Sequence, residues 1–408
     1  MTRLRQQLLF LIIRFAGLGL RLLFFALFFR YSEALYGRYG IVAVSITLGT
    51  YLLGFEFYNY AQREWLKTHG QGLQPFKHQF LFYLLVYPVV LPLFYLLFYF
   101  GFLDRSYLLW FYAVLIAEHL SLEVYRILFV LQKPLWANIN LFLRSGFWMI
   151  FPLWDIWTGR PLTIDRLLRY WFAGDLLALA TVWIIWRQHR AHDKSFNGFD
   201  KQWILKGLRT GLPFFLAVIH FKAVEFSDRY VIDWFADDVR LGVYTFFANM
   251  SQLVNTVVYT TVVSVMYPRV VESLMNRQPG ARQTWTHFTA QVRKWTLITA
   301  AGALVAMPLL LYLLGKQVHL QYYDVFAVLV VANVLYNFSV PYHFALYSAR
   351  KDWLLARAVI IAAAVNLGLN LLLVPRLGIR AAAWTTLLAM WIIYLVKKRA
   401  ARPLLPAA

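Results

Sequence analysis

The sequence has no cysteine among its 408 residues, which excludes disulfide bonds and thiolate metal sites. Charged residues make up only 14% of the chain, and acidic residues are the scarcer kind, with 19 Asp and Glu against 40 Lys and Arg. Catalytic motifs are missing too: there is no Gly-rich phosphate loop followed by Lys, no His-Glu-x-x-His and no nucleophile elbow. We therefore expect no catalytic site, no bound cofactor and no metal site.

Hydrophobic residues, by contrast, form 61% of the chain and occur in apolar runs of about 20 residues, the length that spans a bilayer as a helix. The runs are continuous rather than alternating, which favours helices over the strands of a membrane barrel. The sequence thus predicts an all-α polytopic membrane protein with about 12 transmembrane helices. The predicted spans are residues 7–29, 38–60, 80–101, 107–131, 135–154, 167–186, 209–234, 239–267, 293–314, 322–349, 354–374 and 377–396.

The formal net charge of +21 would suggest nucleic-acid binding in a soluble protein. Here the basic residues cluster in the short segments between apolar runs, so we expect no nucleic-acid partner. If both termini are cytoplasmic, the cytoplasmic segments carry more than twice as many Lys and Arg as the segments on the other side. The positive-inside rule therefore predicts a multi-pass protein with both termini in the cytoplasm. The first apolar run is too long for a signal peptide and is expected to stay as the first span.

The most polar interruption lies near the middle of the chain, at residues 187–206. We interpret it as a cytoplasmic linker between an N-terminal lobe, residues 1–186, and a C-terminal lobe, residues 207–408. A short repeat after the first helix of each half favours duplication with both halves inserted in the same orientation. Its members, at equal spacing, are Ala34, Arg38 and Gly40 in the first half and Ala236, Arg240 and Gly242 in the second.

The seventh span carries Lys222, Glu225, Asp228 and Arg229 within an otherwise apolar run. Each charge at a helix centre opposes insertion by roughly 2.5–3.5 kcal/mol, so these groups must pair or face water. A helix places most of them on one stripe. The eighth span has a polar row of its own, formed by Thr245, Asn249, Gln252, Thr256 and Thr260. Two interpretations stay open: hydrogen bonds inside a helix bundle, or a hydrated cavity with positive walls.

Further charged residues lie in the first half. Arg14 and Arg21 are seven residues apart and share a face of the first helix, and Arg144 lies in the fifth span. Arginine at membrane depth suits an anionic headgroup, because the guanidinium presents paired donors to phosphate oxygens. Glu118 and His119, adjacent in the fourth span, form either a proton or cation relay or a hydrogen-bonded interior pair.

Several short segments, taken together, resemble the polysaccharide transporter branch of the multidrug/oligosaccharidyl-lipid/polysaccharide (MOP) exporter superfamily, the Wzx-type flippases. One departure is Arg380, where that family often has Gly before the Ala pair. The segments that carry the resemblance are Asp228-Arg229-Tyr230-Val231-Ile232, Val239-Arg240-Leu241-Gly242-Val243-Tyr244, Tyr267-Pro268 and the run from Asn366 to Ala383, with a looser match at Tyr39-Gly40-Ile41.

The resemblance implies a MATE-like fold of two six-helix lobes around a central cavity in the bacterial inner membrane. It also implies that undecaprenyl-diphosphate-linked oligosaccharide, a precursor of O-antigen, capsule or exopolysaccharide, is moved to the periplasmic leaflet by alternating access. Membrane lipids, a polysaccharide polymerase and assembly proteins are the expected partners. By position, the resemblance implies a cationic cavity formed by Arg14, Arg21, Lys222 and Arg229, with Glu225 and Asp228 as charge partners or coupling sites for H⁺ or Na⁺. The residue patterns described above add Arg144 to the cations, Glu118 to the charge partners or coupling sites, and Asn249 and Gln252 as a polar face of the cavity.

Three alternatives stay open. A multidrug/cation antiporter of the same fold would favour an acidic cavity, whereas the surplus within these spans is basic. A membrane glycosyltransferase or ligase would carry a larger external loop than the short segments here allow. A scaffold within a polysaccharide assembly complex would leave the buried charges without a purpose.

Overall fold

The computed structural model describes residues 3–67, 73–189 and 198–405. In the first helix the side chains are described from Ile12 onwards, and in the ninth helix they are described as far as Arg187. Within these ranges the chain is helical and contains no β-strand. The helices are α1 (Arg3–Tyr31), α2 (Glu33–Gly54), α3 (Tyr58–Lys67), α4 (Gln74–Tyr99), α5 (Leu108–Val130), α6 (Pro134–Ser145), α7 (Ile150–Trp157), α8 (Ile164–Leu179), α9 (Val182–His189), α10 (Lys201–Phe235), α11 (Asp238–Ser251), α12 (Leu253–Val258), α13 (Ser264–Met275), α14 (Ala281–Leu313), α15 (Tyr323–Ser348), α16 (Asp352–Leu377) and α17 (Ile379–Ala401).

The predicted all-α membrane architecture is confirmed, since every predicted span falls on a helix or on a chain of short helices. By length and composition, eight of the described helices can cross a membrane, and a ninth span results if α2 and α3 are joined across their 45° bend. The three other predicted spans are not among these helices that are long and apolar enough to cross a membrane. The fourth contains Glu118, Glu123 and Arg126; the fifth is divided between α6 and α7; and the eighth is divided among α11, α12 and α13. A total of about 12 helices is compatible with this structure and stays a prediction.

The second predicted span, residues 38–60, is not one straight helix. Helix α2 ends at Gly54, and Phe55 and Glu56 take left-handed conformations, with φ of +47° and +54°. Such conformations are strained for non-glycine residues and persist only where packing holds them. The ring of Phe55 stacks on Phe215 with centroids 4.1 Å apart, and Phe57 stacks on Phe82 at 4.2 Å. Aromatic packing therefore holds the break that hydropathy does not reveal.

The chain divides into two compact units. Unit 1 comprises Met1–Leu35 and Ile41–Phe215, and unit 2 comprises Tyr36–Gly40 and Leu216–Ala408. The division falls inside α10, and residues 201–206 of the predicted linker already belong to that helix. Residues 190–197, also assigned to the linker, lie outside the described residues. The lobe boundaries inferred from the sequence stay a prediction.

In unit 1, helix α5 packs against α6 and α8, and α1 packs against α6 and α7. One apolar cluster joins α3, α4, α5 and α6 through Trp65, Phe76, Leu128 and Ala137, among others. Exposed Leu84 and Val89 on α4 present apolar surface, as expected for a helix that faces lipid. The unit thus buries a side-chain core while keeping an apolar exterior.

In unit 2, helix α17 packs closely against α15 and α16, and α14 packs on α15. Their core is rich in alanine, including Ala332, Ala362 and Ala389, and Val224 brings α10 into the same cluster. Small residues let helix backbones approach closely, which is how membrane helices associate without a hydrophobic driving force. This packing fixes α10, which carries the charged row, against its neighbours.

Candidate functional site

The polar rows of the seventh and eighth spans meet in unit 2. On α10, Lys222 Nζ lies 2.7 Å from Glu225 Oε2, one helical turn away. Gln252, at the end of α11, donates through Nε2 to Glu225 Oε1 at 2.6 Å. Glu225 thus accepts from a cation on its own helix and from an amide on the neighbouring one. The structure brings these three predicted residues together as one group.

Arg229, the other predicted cation of α10, is only 3% exposed. Its Nη2 donates to Asn249 Oδ1 at 2.9 Å, and Asn249 Nδ2 donates to Tyr36 Oη at 2.8 Å. Its Nε is buried and has no hydrogen-bond partner in the described part of the chain, where no carboxylate forms a salt bridge with this guanidinium either. Arg229 is therefore a buried cation held by a neutral amide, so its positive charge is not cancelled by direct pairing.

Asp228 lies on a different side of α10 from this row. Its Oδ2 accepts from Tyr244 Oη of α11 and from Thr386 Oγ1 of α17, the latter at 2.9 Å. Oδ1 is buried and has no hydrogen-bond partner among the described residues. The sequence singled out Asp228 but not Tyr244 or Thr386, since a phenol and a threonine in apolar runs give no distinctive signal.

A neutral polar cluster joins α10, α16 and α17 beside Asp228. Ser227 Oγ donates to Asn366 Oδ1 at 3.0 Å, and Thr385 Oγ1 donates to Asn370 Oδ1 at 2.5 Å. These groups satisfy one another across helices, as polar side chains within a membrane do. The described residues contain no group of three or more His, Asp and Glu side chains that could hold a metal ion.

Arg38 forms a further ion-pair group in unit 2. Its Nη1 lies 2.8 Å from Asp233 Oδ1, and its Nη2 lies 2.6 Å from Asp238 Oδ1. The sequence identified Arg38 only as a member of the repeated pattern with Gly40. The pairing joins the start of α2 to the end of α10 and the start of α11.

In unit 1, the two predicted arginines of α1 have different surroundings. Arg14 is partly buried, and its Nε donates to Asn138 Oδ1 of α6 at 2.9 Å. Arg21 is exposed. Arg14 thus resembles Arg229 in one respect, because the side-chain oxygen of an asparagine orients each guanidinium.

Glu118 and Arg144 also meet in unit 1, where Arg144 Nη1 donates to Glu118 Oε1. Glu118 Oε2 accepts from Trp171 Nε1 at 3.1 Å. Asp175, one helical turn after Trp171 on the same helix, is fully buried, and neither of its carboxylate oxygens has a hydrogen-bond partner among the described residues. Sequence analysis missed Asp175, although an acidic residue in the middle of the apolar sixth span met the criterion that singled out the charges of α10.

The paired interpretation of Glu118 and His119 is wrong, because the two side chains belong to separate groups. His119 Nδ1 lies 2.8 Å from Tyr87 Oη, and no hydrogen bond joins it to Glu118 in the described structure. Its Nε2 lies 4.0 Å from Glu123 Oε1, which in turn accepts from Arg126 at 2.5 Å. Neighbours in sequence on a helix point about 100° apart, so adjacency alone does not bring two side chains together.

Taken together, the structure defines a helical, multi-pass membrane protein with charged and polar groups buried among its membrane helices. Among solved structures, the chain is similar to an inward-facing multidrug resistance MATE family transporter of the MOP superfamily, with a TM-score of 0.59. The match covers 99% of this chain and 96% of that one at 14% sequence identity. The chain matches no family model and no curated protein. It therefore has a MATE-like fold, and the similarity extends over its whole length.

Proposed function

We propose that this protein is a flippase that moves undecaprenyl-diphosphate-linked oligosaccharide across the bacterial inner membrane by alternating access. The observation that carries this proposal is Arg229, a buried guanidinium whose bound partner is the neutral amide of Asn249. A charge at membrane depth is expensive, and one kept without a carboxylate in contact is suited to an anionic ligand. The MATE-like fold supports a transport function for this protein.

The chemistry of the substrate accounts for the residue types. A diphosphate with attached sugars cannot cross hydrocarbon unaided, whereas its polyprenyl chain stays in lipid. Arg229 and Arg14, each oriented by an asparagine, supply donors for phosphate oxygens. Lys222 adds a point charge, and Asn249 and Gln252 add amide groups that suit sugar hydroxyls.

In this proposal the ion-paired residues have a second role. Arg144 is bound to Glu118, and Lys222 is bound to Glu225, so these cations become available only when the pairs open. A coupling ion, H⁺ or Na⁺, would open such a pair by binding to the carboxylate in place of the Arg or Lys cation. Arg21 is exposed and would contact headgroups of the surrounding lipid.

A multidrug/cation antiporter is the second candidate. Two observations favour it: the fold is similar to that of a multidrug transporter, and Asp228 has a buried carboxylate oxygen with no hydrogen-bond partner in the described chain. A cationic drug needs such an acidic contact. Arg229 is the next residue on the same helix, however, and its charge repels a cation from this region.

The first experiment measures the sidedness of undecaprenyl-diphosphate-linked oligosaccharide in the source bacterium with and without this chain. Surface polysaccharide and drug susceptibility are measured in parallel. The flippase proposal predicts that the intermediate accumulates on the cytoplasmic face when the chain is missing, and that the wild-type gene restores export.

Two other results would redirect the assignment. If the intermediate still reaches the outer leaflet and only polymerisation fails, the protein acts in assembly rather than in translocation. If the polysaccharide is unchanged and sensitivity to cationic drugs increases, the antiporter replaces the flippase.

A further inference from the structure

A cavity of about 860 Å³ opens at one end of unit 2, where α13 ends, α14 begins, and α15 and the turn after α17 end. Its lining contains three arginines, Arg277, Arg282 and Arg350, and no Asp or Glu among the described residues. The other lining side chains are neutral, so the walls carry a net positive charge. In the predicted orientation this end of unit 2 faces the cytoplasm. We call it the basic cavity.

Two of these arginines have charges that no carboxylate cancels. Arg277 and Arg350 are exposed, and neither side chain forms a hydrogen bond or a salt bridge within the described part of the chain. The start of α14 adds to the positive field, because Ala281 and Gly280 lie in the cavity wall and a helix N-terminus carries a partial positive charge. Gly280, the N-cap residue, has no side chain that could cap this turn. The cavity is therefore suited to an anion.

Arg277 and Arg350 also share an unusual backbone conformation. Each follows the end of a helix with a positive φ, +47° for Arg277 and +55° for Arg350. In both turns the N–H of the next residue donates to a carbonyl oxygen five residues earlier, at 3.0 Å. Glycine usually completes this helix-ending motif, because it takes a left-handed conformation without steric cost. Two arginines thus occupy glycine-favouring positions at the same cavity.

The turn by itself does not require an arginine. A cation near a helix C-terminus is favoured by the helix dipole, which could account for arginine at both turns. At the end of α5, however, Gln132 takes the same position with φ of +56°, and Lys133 N donates to Leu128 O at 2.9 Å. A neutral side chain therefore completes the same motif in unit 1. The feature that the two arginines of unit 2 share beyond the motif is the basic cavity.

The chemistry of the lining favours a phosphate group. A guanidinium presents paired, coplanar donors that match two oxygens of a phosphate. Exposed Met275 and Leu404 line the same cavity and add apolar surface. Basic pockets between membrane helices on the cytoplasmic side bind the headgroups of anionic lipids. We propose that the basic cavity binds a phosphate group through Arg277 and Arg350, carried by an anionic lipid or by a soluble phosphate. The site does not depend on which molecule the protein transports.

The test measures occupancy of the cavity by protection of a thiol. Because the chain has no cysteine, Ser348→Cys places a single thiol in the cavity lining. The full chain is reconstituted in phosphatidylcholine nanodiscs that contain increasing fractions of phosphatidylglycerol, and the rate of modification by N-ethylmaleimide is measured. A second series uses phosphatidylcholine alone with inorganic phosphate. We expect the reaction at position 348 to slow severalfold, whereas Ser106→Cys, an exposed position in unit 1, should react at a constant rate.

Glycine variants separate the charge from the fold. In the Ser348→Cys background, Arg277→Gly and Arg350→Gly each remove one cation and suit the left-handed turn, so neither should lower the melting temperature. Each should raise the amount of the protecting probe needed for half-maximal protection by roughly fivefold, the effect of one basic residue near an anionic surface. The matched control is Gln132→Gly, which makes the same backbone change in unit 1 without removing a charge. It should leave protection at position 348 unchanged.

The results distinguish the two sources of phosphate. Protection by phosphatidylglycerol that inorganic phosphate does not reproduce identifies a lipid headgroup, whereas protection by inorganic phosphate in phosphatidylcholine identifies a soluble phosphate. If neither probe protects position 348, or if protection is undiminished in both arginine variants, the phosphate site is wrong. An equal loss of protection in Gln132→Gly would also refute it, because that loss would not come from the arginines.

Discussion

At the scale of single residues, the cations are of two kinds, according to whether the side chain that binds them is a carboxylate or a neutral group. Lys222 and Arg144 each contact a carboxylate, so their charges are cancelled locally. Arg229 contacts an amide oxygen and keeps an unpartnered Nε within the described chain. A carboxylate partner offsets the free-energy cost of burying a cation. A buried cation whose partner is neutral keeps its charge and is suited to bind an anionic ligand.

Replacing Arg229 should therefore affect transport more than stability. Arg229→Ala removes at least one charge-assisted contact, worth about 1.5–3 kcal/mol, so we expect a fall of roughly tenfold or more in the rate of flipping. Arg229→Lys should recover only part of it, since a point charge lacks the planar fork. Arg14→Ala, a substitution in unit 1, should lower the rate of flipping to a similar extent. The rate is measured from the sidedness of lipid-linked oligosaccharide in cells.

The control for this prediction is Arg357→Ala, which removes an exposed arginine of the same unit. Thermal unfolding in detergent distinguishes a functional role from a structural one. Removing an uncompensated buried charge should leave the melting temperature unchanged or raise it. A clear fall in melting temperature for Arg229→Ala, with normal flipping per folded molecule, would make Arg229 a structural residue.

At the scale of helices, close approaches between backbones depend on glycine. A Cβ added at Gly37 on α2 would lie 2.7 Å from the backbone N of Gly242 and 2.8 Å from the carbonyl O of Asp238. Both neighbours are backbone atoms at the start of α11, which cannot move aside as a side chain can. The repeated sequence around Gly40 and Gly242 thus marks a tight crossing of two helices within unit 2.

Gly37→Ala should consequently destabilise the protein by about 1–3 kcal/mol, the usual cost of overpacking. Gly368→Ala, also in a helix, is the matched control, because no atom lies within 4 Å of its added Cβ. Alanine there should raise stability by about 0.5–1 kcal/mol, since alanine favours helix more than glycine does. Thermal unfolding of both variants in the same detergent tests the difference, and equal melting temperatures would refute the tight crossing.

At the scale of the whole molecule, the distribution of charge and the fold give complementary information. The excess of Lys and Arg predicts which segments face the cytoplasm, independently of any contact. The MATE-like fold follows from the similarity over nearly the full length. Neither observation identifies a substrate, because one fold hosts many functions and the site decides among them.

The absence of cysteine allows the orientation to be tested without removing native thiols. Ser106→Cys and Gln278→Cys place single thiols at exposed positions in segments predicted to lie on opposite sides. If both termini are cytoplasmic, a membrane-impermeant maleimide added to spheroplasts should label the thiol at position 106 and should reach position 278 only after lysis. The reverse pattern would overturn the predicted orientation.

The sequence by itself determined the all-helical membrane class and the positions of the apolar segments, because both follow from local hydropathy over about 20 residues. It also identified the charged residues of α10, since a charge in an apolar run is visible without a structure. Only the tertiary structure decided which of these charges are partnered. Whether Glu118 meets His119 or Arg144, and whether Arg229 meets Asp228 or Asn249, depends on how α5, α6, α10 and α11 pack, and residues far apart in the chain determine that packing.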